Sequence, residues 1–289
     1  MAVSQLMGKW VLVTGAASGI GLETARAFAR QRSNLILTDI YEAALAPIQR
    51  EIEALGVRCL SHGLDVADEA AVRRVADAVI VKVGVPHVLV NNAGIGFLGP
   101  LLNTPTDAWR KVLDVNVMGV VHLCQAFLPS MLEAGDARQV VNVASAMGIG
   151  SAPNLSAYCA SKHAVMGLSD ALAMELAKTS VGITIVCPGV IDTPIVRNRR
   201  AIADVVPDAQ MDKIEAHYKK TGAHPSVVGE RIVRAVLRGE DLVFVGPTAR
   251  ALYNAKRVSR KLASTATLAG CKANGYWWPY PAKRSAGQR

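Results

Sequence analysis

The sequence predicts an α/β fold in which a parallel sheet of about seven strands carries helices on both faces. Short apolar runs lie near residues 11, 35, 57, 88, 139, 183 and 242, and amphipathic helical stretches separate them. Such alternation is typical of β-α-β units that form a doubly wound sheet. It continues without a change of composition to about residue 246 of 289, which predicts one domain, 1–246, and a C-terminal extension, 247–289.

The first strand and helix enclose a glycine-rich turn. The apolar run from Trp10 to Thr14 leads into the turn Gly15-Ala16-Ala17-Ser18-Gly19-Ile20-Gly21 and then into a helical pattern. Glycines let the backbone approach a pyrophosphate, and the N–H groups and dipole of a helix N-terminus favour its negative charge. The spacing differs from the commoner G-x-G-x-x-G pattern, but the strand-turn-helix context predicts a Rossmann-type dinucleotide site.

The second strand ends at Asp39, eighteen residues after Gly21. A carboxylate at this position accepts hydrogen bonds from the adenosine ribose hydroxyls and repels a 2′-phosphate. Ile40 follows, so no adjacent cation would bind such a phosphate. The sequence therefore favours NAD over NADP.

Tyr158 and Lys162 lie four residues apart in a helical stretch, and Ser145 lies thirteen residues before the tyrosine. An i,i+4 spacing places two side chains on one face of a helix. A phenol with a pKa of about 10 needs a shift of roughly three units to titrate near pH 7, and we expect the Lys162 ammonium to supply most of it. The pair would then act as a general acid and base, and Ser145 would donate a hydrogen bond to the oxygen on which charge develops.

Four further motifs follow the predicted strands and helices in order: Asp65-Val66, Asn91-Asn92-Ala93-Gly94, Asn116 and Pro188-Gly189. Together with Ser145, Tyr158 and Lys162, they closely resemble the short-chain dehydrogenase/reductase family over roughly residues 8 to 246. The resemblance implies a hydride transfer between a nicotinamide cofactor and an alcohol or ketone, without a metal. By analogy with the family, we also expect a homo-oligomer.

The resemblance also implies a role for each matching residue. Tyr158 would be the proton acceptor and donor, and Lys162 would lower its pKa. Ser145 would orient and polarise the substrate oxygen, and Asn116 would hold a water that links Lys162 to solvent. Lys162 would also hydrogen-bond the nicotinamide ribose, and Tyr158 is a further cofactor-binding residue. The other cofactor-binding residues implied are Gly15, Ser18, Ile20, Gly21, Asp39, Asp65, Val66, Asn92, Gly94, Val190 and Thr193.

The segment 191–225 corresponds to the family's substrate lid. Its apolar residues would either line a lipophilic pocket or pack the lid onto the core, and these two interpretations stay open: Ile195, Val196, Ile202, Val205, Val206, Met211 and Ile214. Arg197, Arg199 and Arg200 would either meet an acidic carrier or form a solvated face.

The C-terminal extension carries the net charge of the protein. Residues 1–241 hold 23 basic and 23 acidic residues, whereas residues 242–289 hold nine basic and no acidic ones, which accounts for the net charge of +9. Helical spacing predicts one basic amphipathic helix with the apolar positions Leu252, Ala255, Val258, Leu262, Ala266 and Ala269. An aromatic cluster, Tyr276 to Pro281, follows it. Packing within the protein or between subunits, a peripheral membrane contact and disorder are the alternatives for this extension.

The remaining composition indicates a cytoplasmic enzyme. No secretory signal is visible, the apolar stretches are expected to be too short to cross a bilayer, and the five cysteines and six histidines show no metal-ligand spacing. The balanced charge of residues 1–241 excludes a domain built for nucleic acid. The leading function is an NAD-dependent oxidoreductase of hydrophobic secondary alcohols. The alternatives are an NADP-dependent 3-oxoacyl thioester reductase and a catalytically silent nucleotide-binding or membrane-tethered protein.

Overall fold

Seven parallel strands form one sheet in the order β3-β2-β1-β4-β5-β6-β7, in a computed structural model that describes residues 2–276. The strands are β1 (Trp10–Thr14), β2 (Asn34–Asp39), β3 (Cys59–Gly63), β4 (Val88–Asn91), β5 (Arg138–Val143), β6 (Val181–Pro188) and β7 (Leu242–Val245). The predicted α/β fold is confirmed, and the third strand begins at Cys59, two residues after its predicted position.

Helices cover both faces of this sheet. They are α1 (Gly19–Arg30), α2 (Glu42–Glu53), α3 (Glu69–Val83), α4 (Thr106–Leu113), α5 (Gly119–Glu133), α6 (Ser156–Glu175), α7 (Asp208–Thr221), α8 (Ser226–Arg238), α9 (Pro247–Val258) and α10 (Arg260–Ala273). Alternation along β1 creates two cores, because Val11 and Val13 pack on one face of the sheet and Leu12 packs on the other. Both faces are therefore buried, as a parallel sheet requires.

The strand order reverses between β1 and β4, since β2 and β3 lie on one side of β1 and β4 to β7 on the other. Open α/β sheets bind ligands in the crevice that such a reversal opens at the carboxyl ends of the strands. Thr14, Asn91 and Val143 end three of the strands at this edge. The topology thus brings the glycine turn, the Asn92 motif and Ser145 to one place.

One helical run, Thr106–Glu133, is the candidate for a membrane span by length and composition in the part of the chain that the structure describes. Its residues Leu123 and Phe127 are buried against Leu89 and Val140 of the sheet. The expectation that every apolar stretch is too short to cross a bilayer is wrong for this run. Its packing against the sheet explains why it is apolar.

The described part of the C-terminal extension forms two helices, α9 and α10, so the prediction of one continuous helix is wrong. Ser259 has extended backbone angles, φ −156° and ψ 118°, and its side chain caps α10 by accepting a hydrogen bond from the Leu262 N–H. The predicted apolar stripe is divided as a result. Leu252 packs into the core, whereas Val258 and Leu262 are exposed.

Candidate active site

The glycine turn forms a cradle between β1 and α1. Gly15 and Gly19 have φ values of +65° and +54°, a region that favours glycine. The first N–H groups of any helix have no partners within the helix. In α1 the Ser18 side chain does not cap them, so they are available to a ligand. The turn therefore offers backbone donors and the positive end of a helix dipole to an anion.

Close packing holds this cradle against the end of β4. A Cβ on Gly21 would lie 2.0 Å from the Gly15 carbonyl oxygen and 2.6 Å from the Asn92 side-chain nitrogen. Asn92 donates hydrogen bonds to the carbonyls of Thr14 (2.9 Å) and Gly15 (3.3 Å). In return, the Thr14 hydroxyl accepts hydrogen bonds from the N–H groups of Asn92 and Ala93. Gly21 thus allows close packing of the turn, and Asn92 fixes its backbone by hydrogen bonds.

Asp39 lies at the end of β2 and lines the same cavity. Its carboxylate accepts hydrogen bonds from the N–H groups of Ala17 and Tyr41, each at 3.0 Å. Because an ionised carboxylate has about four acceptor positions, these two contacts fix the side chain and leave capacity for a ligand. Asp39 is therefore a positioned acceptor at the rim of the cradle.

A single cavity of about 1750 Å³ joins the cradle to the predicted catalytic residues. Its lining includes every candidate residue from the sequence except Gly21 and Asn116: Gly15, Ser18, Ile20, Asp39, Asp65, Val66, Asn92, Gly94, Ser145, Tyr158, Lys162, Val190 and Thr193. Thr193 lies opposite the glycine turn, 3.4 Å from where a Cβ on Gly19 would be. Small-molecule pockets usually measure about 300–1000 Å³, so this cavity has room for a dinucleotide and a second ligand.

Ser145, Tyr158 and Lys162 meet at the floor of this cavity. Ser145 follows β5, and its hydroxyl interacts with the Tyr158 phenol and accepts a 3.1 Å hydrogen bond from the Met147 N–H. Tyr158 and Lys162 lie one turn apart on α6, with the Lys162 Nζ 5.9 Å from the centroid of the Tyr158 ring. Lys162 donates a 2.9 Å hydrogen bond to the Val143 carbonyl, which anchors its ammonium beneath the phenol.

Burial governs the proton affinities of this pair. It raises the pKa of Tyr158 to about 12, and the hydrogen bond from Ser145 opposes that rise. Burial also lowers the pKa of Lys162 to about 8. The pKa of Tyr158 is therefore raised where the sequence predicts a depression by Lys162, because the cost of burying a phenolate outweighs the opposing effect of Ser145.

Asn116 supports the site from outside the cavity. It lies in a π-helical turn, Asp114–Met118, between α4 and α5. Its side chain exchanges two 2.8 Å hydrogen bonds with the backbone of Ile95 and donates a third, at 2.9 Å, to the Ser161 hydroxyl. The Asn116 Oδ1 and the Lys162 Nζ both lie beside Gly94, at 3.2 and 3.4 Å from where its Cβ would be. The predicted water beside Lys162 stays a prediction.

Some apolar residues of the lid line the cavity and others pack the lid onto the core, so both interpretations left open by the sequence apply. Ile195 and Val196 line the cavity, Ile202 and Val206 pack against the buried cluster of Leu98, Met211 and Ile214, and Val205 is exposed. Among its basic residues, Arg197 pairs with Asp192. Arg199 pairs with three carboxylates of α7, namely Asp208, Asp212 and Glu215.

The described part of the C-terminal extension supplies a wall of the cavity, which agrees with the alternative that the extension packs within the protein. Tyr276 packs against the lid residue Tyr218, with ring centroids 6.5 Å apart. Asn154, which has a left-handed φ of 64°, donates a 2.8 Å hydrogen bond to the Tyr276 carbonyl. Tyr276 begins the predicted aromatic cluster, and the rest of that cluster, 277–281, lies outside the described residues. These contacts join positions far apart in the chain, so residue spacing could not reveal them.

Comparison with known proteins agrees with this geometry. The family model described as short chain dehydrogenase matches residues 9–203. "Probable oxidoreductase EphD" of Mycobacterium tuberculosis is 41% identical over 263 residues, which cover 89% of this chain but only 44% of that relative. The chain thus spans less than half of its length. The 3-oxoacyl-[acyl-carrier-protein] reductase FabG of Thermotoga maritima is 37% identical over 191 residues, covering 66% of this chain and 77% of that relative.

The fold is also found among solved structures. A short chain dehydrogenase/reductase from Burkholderia phymatum, solved in complex with NAD, matches with a TM-score of 0.81 and 31% identity, over 89% of this chain and 96% of that chain. The family model covers more than half of the chain, and the sheet order, the glycine cradle and the Ser145–Tyr158–Lys162 cluster agree with it. This protein therefore belongs to the short-chain dehydrogenase family.

Proposed function

We propose that the protein transfers a hydride between NAD(H) and a hydrophobic secondary alcohol or its ketone. The observation that carries this proposal is the continuity of one cavity from Asp39, through the glycine cradle, to Tyr158. The backbone donors of the cradle suit a pyrophosphate, and the fixed Asp39 carboxylate suits a ribose diol. The residues present therefore fit a dinucleotide cofactor.

Asp39 favours NAD over NADP. A 2′-phosphate at the adenosine ribose would place about two negative charges against its carboxylate. The cavity-lining residues that follow Asp39 in the chain, or follow the end of the adjacent strand β3, are uncharged or acidic: Ile40, Tyr41, Ala44, Leu64 and Asp65. Because no cation offsets the repulsion there, the unphosphorylated cofactor is the better partner.

Residues of the chain itself donate and accept the proton of the reaction. A bound nicotinamide cofactor supplies or accepts the hydride. In the direction of ketone reduction, Tyr158 donates its phenolic proton to the substrate oxygen, and Ser145 donates a hydrogen bond to the same oxygen as negative charge develops. In the direction of oxidation, the ionised Tyr158 takes the hydroxyl proton, and the nearby Lys162 ammonium stabilises the phenolate.

An apolar substrate fits the wall opposite the cradle. The cavity lining also includes the apolar residues Ile95, Phe97, Met147, Leu155, Ile195 and Val196. Of the three lid arginines that line the cavity, Arg197 and Arg199 are paired with carboxylates, which weakens their attraction for an acidic acyl carrier. This supports an uncharged lipophilic substrate over the 3-oxoacyl thioester, which remains the second candidate because of the similarity to FabG.

Cofactor titration tests this proposal. We expect NADH to bind at least about tenfold more tightly than NADPH, which corresponds to about 1.4 kcal/mol. Asp39→Ser should remove the carboxylate charge and narrow this ratio, and intrinsic fluorescence titration of both cofactors measures it. Asp107→Ser, which changes a cavity-lining carboxylate on α4, is the matched control. Tighter binding of NADPH by the unaltered protein would instead favour the NADP-dependent thioester reductase.

The two reaction directions should depend differently on pH. Because the pKa of Tyr158 is raised to about 12, its phenol stays protonated near neutrality. The phenolate fraction, and with it kcat/KM for oxidation, should rise by up to about tenfold per pH unit. Above the Lys162 pKa of about 8 the loss of the ammonium should flatten this rise. The value of kcat/KM for reduction should stay constant between pH 6 and 8.

Steady-state rates with a soluble secondary alcohol and its ketone measure both pH profiles. A kcat/KM for oxidation that falls between pH 6 and 8 would contradict the assignment of Tyr158 as the base. A protein that binds NADH but turns over no member of an alcohol and ketone panel would support the catalytically silent alternative.

A further inference from the structure

The junction between α9 and α10 presents apolar and basic side chains together to solvent. Val258 is 82% exposed and Leu262 is 58% exposed, on either side of the Ser259 break. Arg257, Arg260 and Lys261 are exposed beside them. We call these five residues the basic corner.

In the part of the chain that the structure describes, the charges of the basic corner have no carboxylate partners. Among the ion pairs of residues 2–276, none includes Arg257, Arg260 or Lys261. The Arg257 guanidinium lies over the Tyr253 ring instead, 5.6 Å from its centroid. Because residues 242–289 contain no aspartate or glutamate, the corner lies in the part of the chain that holds the whole net charge. It therefore attracts an anionic surface.

Two parts of the protein itself could cover the basic corner, a second copy of the chain or the C-terminal residues, and the charge of both is unfavourable. A second copy that met this corner about a two-fold axis would bring like charges together. The C-terminal residues 277–289 carry three basic residues and no acidic one, so they do not complement it either. A nucleic acid would match the charge but would leave the contact of Val258 and Leu262 with water unchanged.

We propose that the basic corner docks the protein onto an anionic lipid bilayer. Basic residues attract acidic headgroups, whereas exposed apolar side chains enter the boundary between headgroups and acyl chains. A bilayer thus satisfies both parts of the corner at once. Each basic residue near such a surface contributes about fivefold in affinity, from about 1 kcal/mol per charge.

The orientation of α10 makes this docking compatible with the active site. Ala263 and Cys271 are buried and line the cavity, whereas Lys261 and Leu262 are exposed. One helix therefore forms the cavity wall with one face and the docking surface with another. If the proposed lipophilic substrate is correct, docking also brings the cavity close to the phase in which that substrate dissolves.

Vesicle flotation with the full chain tests the proposal. We expect binding to vesicles of phosphatidylglycerol and phosphatidylcholine but not to pure phosphatidylcholine, and weaker binding in 1 M than in 0.1 M salt, where the Debye length is about 10 Å. Arg260→Glu with Lys261→Glu should reduce the affinity by at least about 25-fold. These positions lie in the first turn of α10, where glutamates suit the helix dipole, so the helix should be retained.

Two further variants test the apolar part and the site. Val258→Ser with Leu262→Ser should also weaken vesicle binding. Val81→Ser with Lys82→Glu changes an exposed apolar and basic pair on α3 and should leave vesicle binding unchanged. All variants should keep the turnover of a soluble substrate, which separates failure of docking from failure of the proposed reaction.

Three outcomes would overturn the proposal. The first is that the unaltered protein does not float with anionic vesicles at 0.1 M salt. The second is that the charge reversal and the control variant bind equally well. The third is that the protein binds a short DNA duplex through this corner while it ignores the vesicles.

Discussion

Tyr158→Phe is expected to lower kcat by about 10²–10⁴-fold in both reaction directions, because it removes the only atom of that side chain that can carry a proton. The phenyl ring keeps the volume of the original side chain beside Ser145, so the fold should be retained. Cofactor affinity should change by less than about fivefold, because Asp39 and the glycine cradle lie elsewhere in the cavity. Single-turnover rates and NADH titration measure the two quantities separately.

Tyr253→Phe is the matched control for this experiment. Tyr253 packs on Phe244, with ring centroids 4.9 Å apart, and its hydroxyl accepts a hydrogen bond from Arg257. It does not line the cavity, so turnover should stay within about twofold of the unaltered protein. If Tyr158→Phe retained the full kcat, Tyr158 could not be the proton donor.

Local signals in the sequence were enough to predict the sheet and the cradle. The buried run before Gly15 and the glycine spacing depend on backbone conformation, which neighbouring residues largely determine. The parallel sheet then follows from the alternation of strands and helices. Asp39, Ser145 and Tyr158 could be placed in one cavity because the topology brings the ends of their elements to the same edge.

Properties that depend on tertiary packing could not be predicted in this way. The raised pKa of Tyr158 results mainly from burial by the surrounding elements, and the electrostatic interaction with the lid residue Tyr218 raises it further. The hydrogen bond between Asn154 and Tyr276 joins residues 122 positions apart. The division of α9 from α10 depends on the conformation of Ser259, whereas helical periodicity continues unchanged through that position.

Gly21→Ala, in the glycine cradle, should have the second large effect, because it should strongly weaken cofactor binding. The new methyl carbon would lie 2.0 Å from the Gly15 carbonyl oxygen and 2.6 Å from the Asn92 side-chain nitrogen. The first contact is with backbone, which cannot rotate away, so α1 must shift relative to β1. Overpacking of this kind costs about 1–3 kcal/mol. If the shift also misplaces the backbone donors, the Kd for NADH should rise on the order of 100-fold.

Gly167→Ala separates this steric effect from the general effect of adding a methyl group. Gly167 lies within α6, and a Cβ there would meet no atom within 4 Å. Alanine is the better helix former by about 0.5–1 kcal/mol, so this variant should unfold at the same or a higher temperature and bind NADH normally. Thermal unfolding and NADH titration of both variants provide the comparison. If Gly21→Ala bound NADH as tightly as Gly167→Ala does, close approach at Gly21 would not be what shapes the cofactor site.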